Sequence, residues 1–113
     1  MSKLDEKIEL YKESAKKLEL GLDDEFLAKV TKGLGPSIYK KDAETVSCSD
    51  PLELERIREN FLKKKLGLKE SNEDLDSLIK EVCQKLGTSN RRKYRALFYA
   101  LLAQMSNKTE IYA

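Results

Sequence analysis

The segment VSCSDPLELERIRENFLKKKLGL, residues 46–68, constrains the fold most, because it carries a helix together with the residues that begin and end it. Asp50 suits the N-cap, where a carboxylate accepts from a free amide of the first turn, and Pro51 suits the first helical position, which needs no N–H donor. Glu53 stands three residues after the cap, the spacing from which a capping-box carboxylate reaches back to the cap's own amide. At the far end Lys63, Lys64 and Lys65 meet the negative pole of the helix dipole. Gly67 is free to take the left-handed conformation that stops the helix and folds Leu68 back onto Leu62.

The remaining sequence repeats this grammar. Leu4, Ile8, Tyr11, Ala15, Leu18 and Leu22 alternate steps of four and three, predicting a helix capped by Ser2 and ended by Gly21. Asp23 or Asp24 opens a second helix with Phe26, Leu27, Val30 and Leu34, stopped by the punctuation of Gly33 to Pro36. Residues 36–49 keep no period, which predicts a long irregular loop with a single helical turn near each end and no partner strand elsewhere. The helix after Pro51 turns Leu54, Ile57, Phe61 and Leu62 inward. Ser71 caps a fourth helix, with Leu75, Leu78, Ile79, Val82 and Leu86 on its inner face and Gly87 at its end. After Thr88 and Ser89 the last helix carries Tyr94, Leu97, Phe98, Leu101, Leu102 and Met105, the most apolar face of the chain, and belongs at the centre. The expected architecture is all-α: one domain over residues 1–113, a compact bundle of about five helices with the irregular loop at 36–49.

Composition removes chemistries. Charged residues make up 37% of the chain but balance to a net +2, so any electrostatic function is local and not that of a polycation. There is no histidine, which excludes Ser/His and Cys/His nucleophile pairs and an imidazole base. With two cysteines and no histidine a structural zinc site lacks its ligands, so no metal is expected. Gly33 and Gly35 flank one leucine and precede Pro36, not the Lys-Ser or Lys-Thr pair of a phosphate loop, and no cofactor is implied. Cys48 and Cys83 lie far apart without a disulfide framework around them, which suits a reducing compartment. No signal peptide is recognisable and no apolar run approaches the roughly 20 residues of a membrane span, so the expected location is cytoplasmic, with no membrane partner.

The sharpest candidate site is the basic start expected for the last helix: Arg91, Arg92, Lys93 and Arg95, in a stretch with no carboxylate between Glu81 and Glu110. Cations there oppose the dipole at about 0.3–1 kcal/mol each when exposed, a tension that an anion would relieve. Guanidinium groups, free amides and the hydroxyls of Thr88 and Ser89 are the groups that hold a phosphate or carboxylate. The candidate anion-binding residues are Arg91, Arg92, Arg95 and Ser89. The turn of about 100° per residue scatters the four charges, leaving Arg92, Arg95 and Tyr99 on one side. The competing reading spends them in salt bridges to acidic residues of neighbouring helices. Gly87 with Cys83 four residues before it suits a helix-turn-helix, but Lys93 stands where the recognition helix needs an apolar anchor, which disfavours sequence-specific DNA binding. Lys63 to Lys65 point in three directions and read as dipole complement.

Cys48, between Ser47 and Ser49 just ahead of a helix N-terminus, is the candidate reactive thiol, whereas Cys83 borders an apolar face and reads as core. The carboxylates Asp23, Asp24 and Glu25, and Glu73, Asp74 and Asp76, stand where helix-dipole preference alone would put them.

The stretches GPSIYKKDAETVSCSDPLELERIRENFLKKKLGL (35–68) and NRRKYRALFYALLA (90–103) resemble a family of small bacterial proteins known as domain of unknown function 2853. The resemblance implies a compact helical protein of the bacterial cytoplasm and brings no activity, cofactor or catalytic residue. The first functional expectation is a non-enzymatic interaction module presenting a helical face or the 36–49 loop to a protein partner. The alternative is a binder of phosphate-bearing ligands, nucleic acid or metabolite, through the basic start of the last helix. An enzyme would have to run a histidine-free scheme on carboxylates, lysine, tyrosine or Cys48. The sequence fixes neither the partner nor the oligomeric state.

Overall fold

Four helices of this chain begin where a side-chain oxygen substitutes for a missing backbone partner. The structure, a computed structural model, describes residues 2–112. Ser2 Oγ accepts from Asp5 N at 3.1 Å to open α1 (Lys3–Lys17), and Asp23 Oδ2 accepts from Phe26 N at 3.0 Å to open α2 (Asp24–Leu34). A single turn, α3 (Lys41–Glu44), follows. Asp50 Oδ1 then accepts from Leu52 N at 3.0 Å ahead of α4 (Pro51–Arg56), and Ser71 Oγ from Asp74 N at 3.2 Å ahead of α5 (Asn72–Leu86). The last helix, α6 (Arg95–Met105), has no side-chain cap. The capping box expected of Glu53 does not form. Its Oε2 accepts from Ser47 N at 3.1 Å and its Oε1 is held by Arg95, a charge-assisted bond stronger than the one to its own cap.

The first helix stops four residues before Gly21. Glu19 takes φ 54°, Glu19 N donates to Lys16 O and Leu20 N to Ala15 O, the bond pair of a Schellman end, and Leu20 folds onto the core. Apolar contact by Leu20 outweighs the cost of a left-handed glutamate. Gly67, by contrast, has the expected φ of 69°, and Leu68 N donates to Leu62 O at 2.9 Å.

The segment after Arg56 continues as a π-helix, Ile57–Lys65, closed by an i→i+5 bond from Leu66 N to Phe61 O at 2.9 Å. Its buried residues explain the widening. Ile57, Phe61, Leu62 and Leu66 are all buried, yet at about 100° per residue Leu66 would lie half a turn away from Ile57. The wider i→i+5 winding turns less per residue and brings Leu66 round to the core side. Arg58, which donates to Glu59 and to Asp76 of α5, fastens this segment to its neighbour.

Five helical bodies and the short α3 pack into one core, with α6 at its centre as the apolar pattern requires. Ala96, Leu97, Phe98 and every residue from Ala100 to Ala103 are buried, against α2 and α5 above all. The radius of gyration is 13.1 Å, as for a single packed body of this length at about 13 Å. Residues 36–49 hold a 3-10 turn, Gly35–Tyr39, at the near end as expected, whereas the second turn, α3, falls in the middle of the stretch and the far end is not helical. Their extended part does find a partner: Thr45 bridges Tyr94, the one β-bridge among the described residues, which contain no strand. No described helix is long and apolar enough to cross a membrane.

Candidate anion-binding groove

The bridge between Thr45 and Tyr94 determines where the basic residues go. Gly87 ends α5 with φ 99°, and Asn90 folds the following loop: its side-chain amide donates to Leu86 O at 2.9 Å and its Oδ1 accepts from Arg92 N at 3.0 Å. Lys93 O then accepts from Val46 N at 2.8 Å, and the buried Tyr94 ring packs on Tyr11 with centroids 4.9 Å apart. These bonds keep residues 87–94 out of helical conformation, so α6 begins at Arg95 and not at the arginine pair. Arg91, Arg92 and Lys93 therefore lie in a loop, and the expectation that they start the last helix is corrected. Eight residues also separate α5 from α6, too many for the tight turn of a helix-turn-helix.

The cluster splits by function as well as by conformation. Arg95 is consumed by the fold: Nε donates to Ala43 O at 2.7 Å, one terminal nitrogen binds Glu53 and reaches Thr45 O, and the other donates to Tyr99 Oη at 3.2 Å. Its guanidinium also lies over the Tyr99 ring, which stacks on Phe61. Of the four residues expected to hold an anion, Arg95 is thus a brace between the 43–53 region and α6. Arg91, Arg92 and Ser89 stay exposed on the rim of a groove of about 1380 Å³. That volume exceeds the roughly 300–1,000 Å³ of a closed small-molecule pocket and describes an open trough.

The opposite rim is the Thr45–Ser49 strap, and α5 contributes Lys80 and Cys83. Among the lining charges Lys7 is paired with Glu44, which also accepts from Tyr11 Oη, and Glu53 is paired with Arg95. What remains is Lys41, Lys80, Arg91, Arg92 and Lys93 against Asp42 alone. Lys93 belongs to the basic cluster but not to the residues expected to hold the anion, yet it is only 9% exposed, and its ammonium has one acceptor, the carbonyl of Asn90, with no carboxylate in reach among the described residues. A buried ammonium is costly unless paired. A sequence signal existed: Lys93 sits directly before a tyrosine on the core-facing pattern.

Cys48 is not a free thiol. Its sulfur is bonded to that of Cys83 across 35 residues, with Cα atoms 6.2 Å apart, so the reactive-thiol assignment is corrected, whereas Cys83 is in the core as expected and is also bonded there to Cys48. Joined cysteines also remove the argument for a reducing compartment that rested on unpaired ones. The acidic clusters are taken up locally: Asp23 caps α2, Glu25 pairs with Lys29, and Asp76 holds Arg58. Among the described residues no group of three or more metal-ligating side chains converges. Lys63 pairs with Glu59, and Lys65 lies over the Tyr112 ring.

Residues 9–110 match the model of a family described as protein of unknown function, DUF2853. No curated protein matches the chain significantly.

Proposed function

Since the chain belongs to the DUF2853 family, whose description attaches no activity, its role rests on its own surface, and we propose that it is a binding module taking a phosphate-bearing ligand in the groove between the Thr45–Ser49 strap and the 87–94 loop. The observation that carries this reading is Lys93: a nine-tenths buried residue lining the groove, whose part-buried ammonium has a single backbone acceptor and no counter-charge among the described residues. A phosphate oxygen supplies both the missing acceptors and the missing charge. Arg91 and Arg92 on the rim offer planar forks for the outer oxygens, with the Thr88 and Ser89 hydroxyls beside them. The interaction-module reading has less support, because among the described residues the exposed large apolar side chains are Tyr39, Leu52 and Ile111, one each from three separate helical segments.

Calorimetric titration with inorganic tripolyphosphate and with a short single-stranded oligonucleotide tests the proposal and separates its two sources. Binding should weaken as salt rises, more steeply for the oligonucleotide if several phosphates are contacted, at about −0.7 in log–log slope per phosphate. It should be lost in Arg91→Ala/Arg92→Ala and reduced in Lys93→Met. No heat with either probe at low salt, or binding indifferent to those substitutions, defeats the reading.

A further inference from the structure

We propose that the Cys48–Cys83 bond is a reversible, redox-active clasp that sets the affinity of the groove for phosphate; the inference rests on the anion-binding reading above. Both cysteines line the groove, and they come from its two walls: Cys48 from the strap and Cys83 from α5. Every other polar tie on the strap runs elsewhere. Val46 N goes to Lys93 O, Arg95 holds Thr45 O, and Ser47 N goes to Glu53. Among the described residues no hydrogen bond or ion pair joins residues 45–50 to α5, so the disulfide is the one covalent or polar tie between that wall, with Lys80 on it, and the strap.

The surroundings suit exchange chemistry. Cys48 is partly open to solvent whereas Cys83 is nine-tenths buried, so the incoming thiolate attacks the Cys48 sulfur. The excess of cations in the groove favours the thiolate that leaves, Cys83, and the one formed last. The co-reactant is a dithiol reductant. Its first thiolate forms a mixed disulfide with Cys48 while the pair of electrons of the old S–S bond departs on Cys83, which takes up a proton. Its second thiolate then attacks the mixed disulfide and releases Cys48. The protein gains two electrons and two protons, and the reductant becomes a cyclic disulfide. With the bond open, strap and α5 are free to separate, and Lys80 no longer faces the ligand in a fixed position. Affinity then falls because a preorganised site has become a loose one. A reducing compartment with thiol oxidation as an occasional signal is the setting such a clasp fits.

The test uses the full-length protein, oxidised and after equilibration with dithiothreitol, with thiols counted by alkylation and mass spectrometry, helix content by circular dichroism and tripolyphosphate affinity by calorimetry. The expected result is a reduced protein that keeps its helices, rejoins its bond with oxidised glutathione, and binds tripolyphosphate about tenfold more weakly. Cys48→Ser/Cys83→Ala should behave as the reduced form and no longer respond to dithiothreitol. A bond that resists the reductant until the protein is denatured overturns the inference, as does reduction that unfolds the chain or leaves affinity unchanged. Unchanged affinity overturns this inference alone, whereas an oxidised protein that binds no tripolyphosphate refutes the groove reading and removes the clasp's purpose with it.

Discussion

Arg95 shows how far the role of a side chain departs from its charge. Read as one of four cations, it suggested a ligand; in the fold it ties two carbonyls, a carboxylate and a tyrosine into one brace. Its side chain and that of Glu53 are 16% and 18% exposed, so removing the guanidinium leaves a largely buried carboxylate without its cation. Arg95→Met should therefore cost about 2–4 kcal/mol in urea unfolding, whereas Arg91→Met on the open rim should stay within about 0.5 kcal/mol. Tyr112 makes the opposite case. Burial raises its hydroxyl to about 12, and that oxygen has no hydrogen-bond partner among the described residues. Burial and the neighbouring Glu44 likewise push Tyr11 well above the ordinary tyrosine value. A raised pKa in the folded state means the neutral ring is favoured there, so the contribution is complete below about pH 10 and is lost as pH climbs through the folded value. Stability should decline above about pH 10 by up to about 1.4 kcal/mol per pH unit for each such tyrosine. Tyr112→Phe should flatten that decline between about pH 10 and 12 and leave neutral-pH stability equal or raised, as followed by tyrosinate absorbance and denaturant midpoints.

At the scale of elements, periodicity was legible and termination only partly so. Caps at Ser2, Asp50 and Ser71 stand where the sequence put them, and Asp23 is the one of the two candidates, Asp23 and Asp24, that caps α2, since N-capping is a bond between residues two or three apart. The end of α1 was not legible because it depends on where Leu20 finds a core, which no local rule contains. The start of α6 was missed for a related reason: residues 91–94 have helix-forming composition, but the pairing of Lys93 and Tyr94 with Val46 and Thr45 holds them extended. The π-helix left a signal in the apolar residues 57, 61, 62 and 66, a set that a regular α-helix cannot keep on one side. This gives a direct check. Leu66, 4% exposed, should cost about 2–4 kcal/mol on replacement by alanine, while Lys64→Ala should cost less than about 0.5 kcal/mol. Were the segment an ordinary α-helix, Leu66 would face water and the two substitutions would be equally mild in thermal unfolding.

At the scale of the molecule, the number of long helices and the central place of α6 followed from the sequence, because a face carrying Leu97, Phe98, Leu101 and Leu102 has nowhere else to go. The groove was not readable in the same way. It is made by three segments distant in sequence, and its two cysteines meet only after the strap has docked beside α5. Their bond closes a loop of 35 residues, and in the chain-entropy account such a cross-link restricts the unfolded ensemble by about 3–4 kcal/mol. That is a large share of the roughly 5–15 kcal/mol that holds a domain together, yet a core of five packed helical bodies does not depend on it alone. The reduced protein should accordingly unfold in one cooperative step, with its denaturant midpoint lowered by the equivalent of about 3–4 kcal/mol and an unfolding slope that is steeper because the uncrosslinked chain exposes more surface. A reduced state with no cooperative transition would mean that the apolar faces do not suffice without the clasp, and a midpoint unmoved by reduction would mean that strap and α5 are already held together in the unfolded chain.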